Sequence, residues 1–434
     1  MHKGNDKYSS HKPKLWVYNY DFEFEIAGLK PDTFSRQQCF PWYFLNRSSL
    51  LFLPLSKIND SILIYDQPDT LLLDSLGQKL SYLPQFTPIK PKQETNSIFS
   101  DLIISPLMFN DLKRYRLQPW GWSQKAIQYS SQFCRPPISP INIDDVITLN
   151  SKQTSNHLRE AYLPDKMKIP SRSIHPNKIS LAELATIVKQ FQKEHPCFFI
   201  KHYFGTAGRL TNYSDTADFS NRKLKRWKAW INKHKGILLE KKLDIRDEWS
   251  IQVEVTPEKE VIPLTITKLY SGRDGAYWGN LLGVKAEKLE KDLNRALEPV
   301  FEKIRQTEYQ GPIGFDFIET TEHQFKLLEI NTRFTMGRIA FEWHKKINTF
   351  SYGLFFNLFF PYSPHQNVKQ ILDSFSKLEK NSPCQVNLIN LVPGQSSGIT
   401  LISGIVGAES QELIWKIHQN INQIMKIPPQ LSRK

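Results

Sequence analysis

Short apolar runs separated by polar loops predict the elements of the first part of the chain. Strands are expected at residues 14–27, where the strand enters a turn, at 61–65 and at 101–105, with helical stretches between them. The Pro-rich run Arg135-Pro-Pro-Ile-Ser-Pro-Ile141 then marks a boundary, because proline interrupts helices and strands. This part of the chain is therefore predicted to be an α/β domain that ends near residue 143.

After this boundary, two helices are predicted, at residues 150–163 and 180–193. An apolar strand follows and delivers Lys201 into a loop that contains Gly205 and Gly208. A lysine and small backbone positions at such a place can bind phosphate oxygens. Two glycines can equally make a simple reverse turn.

Three more strands are predicted further along the chain. Residues 236–239 are apolar and lead into Glu240, Lys241 and Leu243; residues 248–255 alternate with period 2; and residues 261–270 carry Lys268. The second unit of the chain is therefore rich in strands after its first two helices.

The last of these strands form a predicted hairpin that carries two acids. Ile313, Phe315 and Phe317 alternate with Gly314, Asp316 and Ile318, and the strand after the turn alternates again. The expected loop, residues 321–324, places Thr320 opposite Phe325. In that register Asp316 lies across from Glu329, with side chains roughly 5 Å apart. Asn331 projects from the same face as Glu329.

This pair of acids predicts a metal site. Like charges directly opposite each other destabilise a sheet and raise one pKa, so the arrangement is best explained by a divalent cation between them. Two carboxylates and an amide oxygen are hard ligands, which suit Mg²⁺ carrying nucleotide phosphates. The alternative is a surface hairpin whose acids face water.

Composition places the chain among globular proteins. With 434 residues, of which 40% are hydrophobic, two or three domains are expected. No apolar run approaches the roughly 20 residues of a membrane span, and residues 1–14 lack the apolar core of a secretory signal, so a cytoplasmic protein without membrane contact is predicted. The four cysteines and eleven histidines show neither zinc nor disulfide spacing.

The formal net charge of +14 favours anionic partners. Residues 222–235 contribute most densely, and Leu224, Trp227 and Ile231 recur there at helical spacing, which predicts an amphipathic helix with a solvated basic face. The spacings of nucleic-acid recognition motifs are absent from the sequence, so nucleic acid is not the expected partner.

The order of these features resembles the ATP-grasp superfamily over residues 145–345. The most specific part is the set Asp316, Glu329 and Asn331 followed by Arg333. Segments such as residues 119–123 and 335–337 resemble a bacterial subgroup of that superfamily. The resemblance implies a mixed α/β (α+β) fold, in which a Rossmann-like pre-ATP-grasp domain (1–143) precedes the ATP-grasp domain (144–345) and a C-terminal extension (346–434) has no assigned role.

The resemblance also implies residue roles. Asp316, Glu329 and Asn331 would bind the metal; Lys152 and Lys201 would contact phosphates under a loop with Gly205 and Gly208; Glu240, Lys241 and Leu243 would frame adenine; and Glu248, with Asp247 as a competing choice, would contact ribose. Lys268, Arg333 and Arg338 would act on the reacting groups, although Arg338 could equally serve a structural salt bridge.

The implied reaction uses ATP and Mg²⁺, with Mn²⁺ as a substitute. A carboxylate would be activated as an acyl phosphate and joined to an amine, which releases ADP and phosphate. The alternatives are an ATP-grasp phosphotransferase and a non-catalytic nucleotide-sensing or nucleic-acid-binding protein. The expected partners are small carboxylates and amines, and a homo-oligomer stays open. Asp21, Glu23 and Glu25 near the first turn are either substrate contacts or solvated acids.

Overall fold

The computed structural model describes most of the chain, with gaps between its ranges. It covers residues 12–28, 47–89, 111–176, 179–204, 211–214, 220–233, 235–271, 277–283, 286–347, 349–363, 367–393 and 398–425. The predicted strand at 101–105 and the predicted glycines Gly205 and Gly208 lie outside the described residues.

The first part of the chain forms a four-stranded parallel sheet in the order β3-β2-β1-β4. Its strands are β1 (Lys14–Val17), β2 (Ser61–Ile64), β3 (Gln85–Pro88) and β4 (Arg116–Pro119), and its helices are α1 (Phe22–Ile26), α2 (Thr70–Leu80) and α3 (Gln124–Phe133). This confirms a Rossmann-like first sheet. The expected strand at 14–27 is wrong in its length, because β1 ends at Val17 and the chain turns into α1.

Local sequence explains the helices of this part. The side chain of Asp69 accepts a hydrogen bond from the backbone N–H of Leu71 and so caps α2. Leu72, Leu76 and Leu80 then recur every four residues and are buried against the sheet. The apolar face of α2 therefore packs on the parallel sheet, as expected for an α/β domain.

The second sheet is antiparallel and has the order β5-β8-β6-β7. It consists of β5 (Ser171–Ile174), β6 (Phe198–His202), β7 (Thr211–Ser214) and β8 (Ile237–Lys241), preceded by α4 (Ile143–Leu149) and α5 (Lys152–Tyr162) and accompanied by α6 (Leu181–Glu194) and α7 (Asn221–Lys233). A capping box between Ser180 and Glu183 begins α6. Leu184 and Trp227 pack the two helices into one core with Ile200.

The third sheet is antiparallel, with eight strands in the order β13-β12-β9-β10-β11-β14-β16-β15. Its strands are β9 (Ile245–Val255), β10 (Val261–Ser271), β11 (Tyr277–Leu282), β12 (Gly311–Thr320), β13 (Phe325–Asn331), β14 (Tyr352–Pro361), β15 (Cys384–Val392) and β16 (Ile399–Ala408). The remaining helices are α8 (Glu287–Arg305), α9 (Met336–Ile347), α10 (Val368–Asn381) and α11 (Gln411–Ile424). Together the sheets confirm the mixed α/β fold.

Strands from the last ninety residues belong to the same sheet as the acidic hairpin. Leu281 of β11 pairs with Leu354 of β14, which in turn pairs with Val406 of β16. The first part of the chain joins this assembly through α9, since the indole N–H of Trp343 donates to the backbone oxygen of Leu51, which lies between β1 and β2, at 3.1 Å. Within the described ranges, no helix combines the length and the apolarity that a membrane crossing would need.

Candidate active site

The hairpin of β12 and β13 brings Asp316 directly opposite Glu329, which confirms the predicted pair. The predicted loop is wrong by one residue, because Glu319 and not Thr320 faces Phe325. A register shift between Asp316 and Phe317 takes up the difference. A β-bulge therefore restores the pairing of the two acids.

Asp316 is held by hydrogen bonds on both carboxylate oxygens. The hydroxyl of Ser250 donates to Oδ1 at 2.6 Å, and Nδ2 of Asn331 donates to Oδ2 at 2.8 Å. Burial and the negative charge of Glu329 raise the pKa of Asp316 to about 7, against the opposing effects of Ser250, Arg333 and Lys152. The site thus disfavours a second bare negative charge.

Glu329 has the opposite environment. Its Oε2 accepts a hydrogen bond from Nζ of Lys152 in an ion pair. Burial favours the neutral acid, but the charge and hydrogen bond of Lys152 outweigh it and hold the pKa of Glu329 below its usual value. Lys152 is placed by the start of α5, where its backbone N–H donates to the backbone oxygen of Tyr203 at 2.8 Å.

This donor set fits a divalent cation. Two partly buried carboxylates face each other, one of them with a raised pKa, and the amide of Asn331 adjoins them. Oxygen donors of this kind suit Mg²⁺ or Mn²⁺. Across the parts of the chain that the structure describes, no group of three or more His, Cys, Asp and Glu side chains is arranged to hold a metal, and the third candidate oxygen, Oδ1 of Asn331, accepts a hydrogen bond from Arg333.

A polar network behind Asp316 was missed by the sequence analysis. Gln252 donates to Ser250 Oγ at 2.7 Å and accepts from the hydroxyl of Thr335 at 2.5 Å. Gly314 makes room for it, since a Cβ there would lie 2.6 Å from Cγ2 of Thr335. The alternation in residues 248–255 places Ser250 and Gln252 on one face, and that signal could have identified both.

Lys201 lies at a second cluster of charges. Its Nζ forms an ion pair with Glu240 Oε1, and Nη1 of Arg159 lies 3.2 Å from Glu240 Oε2. Burial favours the neutral acid, but Lys201 and Arg159 hold the pKa of Glu240 below its usual value. Arg159 also donates to the backbone oxygen of Leu327 at 2.8 Å, so this cluster is tied to the acidic hairpin. The sequence analysis missed Arg159.

The remaining hinge and ribose candidates belong to the end of β8, the segment after it and β9. Lys241 ends β8 and is exposed, and Leu243 follows it in a half-buried position. Glu248 pairs with Ile318 of β12, two residues from Asp316, so both acids project from the same face of the sheet. The hydroxyl of Ser271 donates to Glu248 Oε2 at 2.6 Å.

Lys268 is not brought to this face. It pairs with Trp249, which pairs with Phe317, whereas Asp316 pairs with Ser250. Because successive side chains alternate between the faces of a sheet, Lys268 lies on the opposite face from Asp316. Its Nζ is 2.6 Å from Asp247 Oδ1 and 5.6 Å from the centre of the Trp249 ring.

The two predicted arginines have different surroundings. Arg338 forms ion pairs with Glu254 at 2.8 Å and Glu342 at 2.9 Å, which is the structural alternative given above. Arg333 lies beside Asn331, to whose Oδ1 it donates at 3.1 Å, and it pairs with Glu23. Glu23 is buried, so the alternative of a solvated acid is wrong for this residue.

No protein-family model and no curated protein matches the sequence. The structure is similar to N5-carboxyaminoimidazole synthetase from Staphylococcus aureus complexed with ADP, with a TM-score of 0.52, 12% identity, and coverage of 95% of this chain and 98% of that one. It is also similar to a biotin carboxylase complex with β,γ-ATP from Campylobacter jejuni, with a TM-score of 0.57, 13% identity and coverage of 95% and 91%.

A third similar structure is N5-carboxyaminoimidazole synthase from Aspergillus clavatus in complex with ADP and 5-aminoimidazole ribonucleotide. Its TM-score is 0.53 at 12% identity, and the match covers 88% of this chain and 95% of that chain. At such identities the likeness concerns the fold. It extends over nearly the whole length of the neighbours, including the strands that follow residue 345.

Proposed function

We propose that this chain, which has the ATP-grasp fold, is an ADP-forming ligase that activates a carboxylate with MgATP and joins it to an amine. The observation that carries the proposal is the opposed pair Asp316 and Glu329, with Lys152 on one acid and a raised pKa on the other. A pair of this kind is costly unless a cation is bound there. The crystal structures of similar proteins with ADP, β,γ-ATP and MgADP support a nucleotide as the ligand of this chain.

In this proposal Asp316, Glu329 and Asn331 hold Mg²⁺, for which Mn²⁺ substitutes. When bound, the cation supplies positive charge to the phosphates of the nucleotide. Lys152 and Lys201 are the lysines that contact the phosphates. Each now forms an ion pair with an acid of the site, and a phosphate oxygen could replace that acid as its partner. Glu240, Lys241 and Leu243 frame adenine, and Glu248 contacts ribose. Gly205 and Gly208 stay predicted parts of a covering loop.

The residues of the chain act by alignment and charge. A carboxylate oxygen attacks the γ-phosphorus of ATP, the bond to the bridging oxygen of ADP breaks, and an acyl phosphate forms. The nitrogen of a neutral amine then attacks the acyl carbon, phosphate leaves with the bonding electrons, and the amine loses one proton. Lys152 and Lys201 offset the charge that develops on the phosphoryl oxygens, so no protein nucleophile is needed.

The roles of the other predicted catalytic residues follow from their positions. Arg333 lies beside the metal-ligand set and is proposed to act there. Lys268 lies on the opposite face of the sheet from Asp316, so we do not propose that its charge acts on the phosphates. Arg338 is committed to Glu254 and Glu342 and is proposed to stabilise α9.

The test is hydroxylamine capture of the activated carboxylate. The protein is incubated with MgATP, pooled amino acids and hydroxylamine, and both ADP and hydroxamate are measured in the same wells. We expect hydroxamate with the wild type and with Glu322→Gln, a control in the exposed turn of the same hairpin. Glu329→Gln, which removes a proposed metal ligand, is expected to lower the rate by about 100-fold.

Other outcomes discriminate between the functions. ADP release without hydroxamate across broad carboxylate pools, together with a stable phosphorylated product, would assign phosphotransfer instead. Nucleotide binding without any ADP release would favour a non-catalytic nucleotide-sensing protein. Equal rates for Glu329→Gln and Glu322→Gln would refute the proposed site.

A further inference from the structure

Glu23 of α1, the short helix that follows β1, reaches the proposed metal site through Arg333. Its Oε1 accepts hydrogen bonds from Nε of Arg333 at 2.7 Å and lies 2.5 Å from Nη2, and the two side chains are only 4% and 11% exposed. The residues are 310 positions apart in the chain. A buried carboxylate paired with a guanidinium is costly to break, so this contact fixes the geometry of both partners.

We propose that Glu23 is a positioning residue, which orients Arg333 and, through it, the metal ligand Asn331. The proposal rests on the proposed function, because it concerns the same site. It also makes the first sheet a working part of that site: the metal-ligand set has its observed arrangement only when the carboxyl ends of β1 and β4 are packed against the end of β13.

The hydrogen bonds form a chain from α1 to the hairpin of β12 and β13. Nη2 of Arg333 donates to Asn331 Oδ1 at 3.1 Å, and Asn331 Nδ2 donates to Asp316 Oδ2 at 2.8 Å. Nη1 of Arg333 donates to the backbone oxygen of Phe334 at 3.0 Å. The guanidinium is thereby held at its Nε and at both of its terminal nitrogens, beside the acids and not on them.

Charge explains why Glu23 is needed. The guanidinium of Arg333 contacts Glu23 directly and lies near the charges of Glu329 and Asp316, so it is attracted to all three acids. Without Glu23, the two remaining acids are the metal ligands themselves. Arg333 would then move onto them and compete with a cation for the same oxygens.

The backbone around Glu23 is held firmly enough for this task. Asn19 donates to the backbone oxygen of Gly121 at 2.8 Å and accepts from its N–H at 3.3 Å, which ties the end of β1 to the end of β4. A Cβ at Gly121 would lie 2.5 Å from the ring of Phe22, so only glycine lets α1 start here. The N–H of Phe334 donates to the backbone oxygen of Trp120 at 3.0 Å and fixes the opposite partner.

The experiment compares Glu23→Gln with Glu25→Gln, two positions further along the same helix. The carboxylate of Glu25 bonds to Ser123 at 2.5 Å and pairs with Lys125, away from the Arg333 chain. Mn²⁺ affinity is measured by electron paramagnetic resonance without nucleotide, and kcat and KM are measured in the hydroxamate assay. Thermal unfolding shows whether each variant folds.

We expect Glu23→Gln to lose about 10-fold to 100-fold in Mn²⁺ affinity and in kcat, with a smaller change in the KM for MgATP, because partners behind metal ligands have effects of this size. Glu25→Gln should match the wild type, and Glu23→Asp, which keeps the charge, should recover part of the loss. The double variant Glu23→Gln with Arg333→Gln should lose no more than Arg333→Gln alone, because the two residues act as a unit.

Equal Mn²⁺ affinities for folded Glu23→Gln and Glu25→Gln would overturn the proposal, as would strictly additive losses in the double variant. The Mn²⁺ measurement needs no turnover. If the wild type makes no hydroxamate but Glu23→Gln lowers Mn²⁺ affinity, the ligase function is rejected and the positioning role is supported. If the wild type binds no Mn²⁺ without nucleotide, the positioning role is overturned, and the hydroxamate assay alone decides the ligase function.

Discussion

Asp316 and Glu329 are neighbours with the same chemistry and opposite pKa shifts. Burial and the charge of Glu329 raise the pKa of Asp316 to about 7, whereas Lys152 outweighs burial at Glu329 and lowers its pKa. The hydrogen bond from Ser250 and the charges of Arg333 and Lys152 act in the opposite direction at Asp316 but do not outweigh burial and Glu329. Near pH 7 Asp316 is therefore about half ionised and Glu329 is ionised, so the pair carries between one and two negative charges until a cation binds.

This difference predicts a pH dependence of metal binding. Because the cation binds ionised Asp316, affinity for Mn²⁺ should fall about 10-fold for each pH unit below 7 and level off above it. Titrations of the nucleotide-free protein between pH 5.5 and 8.5 measure this. A flat profile across that range would contradict the assignment, and Asp316→Asn should bind weakly at every pH.

The same shift has a sign for stability. The folded pKa of Asp316 lies above the ordinary value of 3.8, so the folded state binds more protons between those two values. This residue's contribution to the stability of the metal-free protein is thus greatest at low pH and is lost as pH rises towards 7. Added Mn²⁺ should offset that loss, since it binds the ionised folded state.

Residue placement in a sheet depends on register, which explains both a success and a failure of the sequence analysis. The hairpin of Asp316 and Glu329 is local, so its pairing could be predicted. Lys268 was assigned to the phosphates, but the pairing of β10 with β9 contains a register shift between Pro263 and Thr265. A shift of one residue moves every following side chain to the other face.

At the scale of elements, the pairing of Asp316 with Glu329 in the hairpin depends on a β-bulge that the sequence does not predict. The loop is one residue longer than predicted, and the bulge beside Asp316 removes the offset. Bulges have no simple sequence signal and recur beside functional sites. Turn chemistry alone therefore predicted that the two acids would face each other but not how the strands would bend around them.

The packing behind the hairpin predicts an effect of one added methyl group. In Gly314→Ala, the new Cβ would lie 2.6 Å from Thr335 Cγ2 and 3.4 Å from Gln252 Oε1. The network that holds Asp316 would have to move, at a cost of about 1–3 kcal/mol in the free energy of unfolding. We expect weaker Mn²⁺ binding as well, measured beside chemical denaturation.

Gly77→Ala is the matched control for that substitution. Gly77 lies inside α2, where a Cβ would meet only the Leu83 side chain at 3.4 Å. Alanine is favoured over glycine inside a helix by about 1 kcal/mol, so this variant should be as stable as the wild type or more so. If Gly314→Ala were as stable as Gly77→Ala and bound Mn²⁺ equally well, the close packing behind Asp316 would not contribute to stability or metal binding.

At the scale of the whole molecule, the sequence analysis placed residues 144–345 and 346–434 in separate units, whereas the eight-stranded sheet contains strands from both. Residues 346–434 were expected to be an extension, because the resemblance ended before them. In the structure β14, β15 and β16 complete the sheet that carries the hairpin, through pairs such as Gly279 with Phe356. Such pairings join residues far apart in sequence, and no local pattern specifies them.

This continuity predicts the result of a truncation. A chain of residues 1–350 keeps every residue proposed for the site, yet it loses the partner of β11 and the buried side chains Leu354, Phe355 and Phe356. The core that these residues share with Trp343 and the first sheet would be exposed. We expect the fragment to aggregate and to bind no MgATP, as measured by size-exclusion chromatography and isothermal titration calorimetry.

Co-expression with residues 351–434 supplies the missing strands without the covalent link. Recovery of soluble protein and of MgATP binding in the co-expressed pair would show that the loss comes from the strands and not from the cut, because an open sheet edge is paired again. A fragment 1–350 that stays monomeric and binds MgATP as the full chain does would show that the site is independent of β14 to β16. Residues 1–350 would then be sufficient for the binding of MgATP.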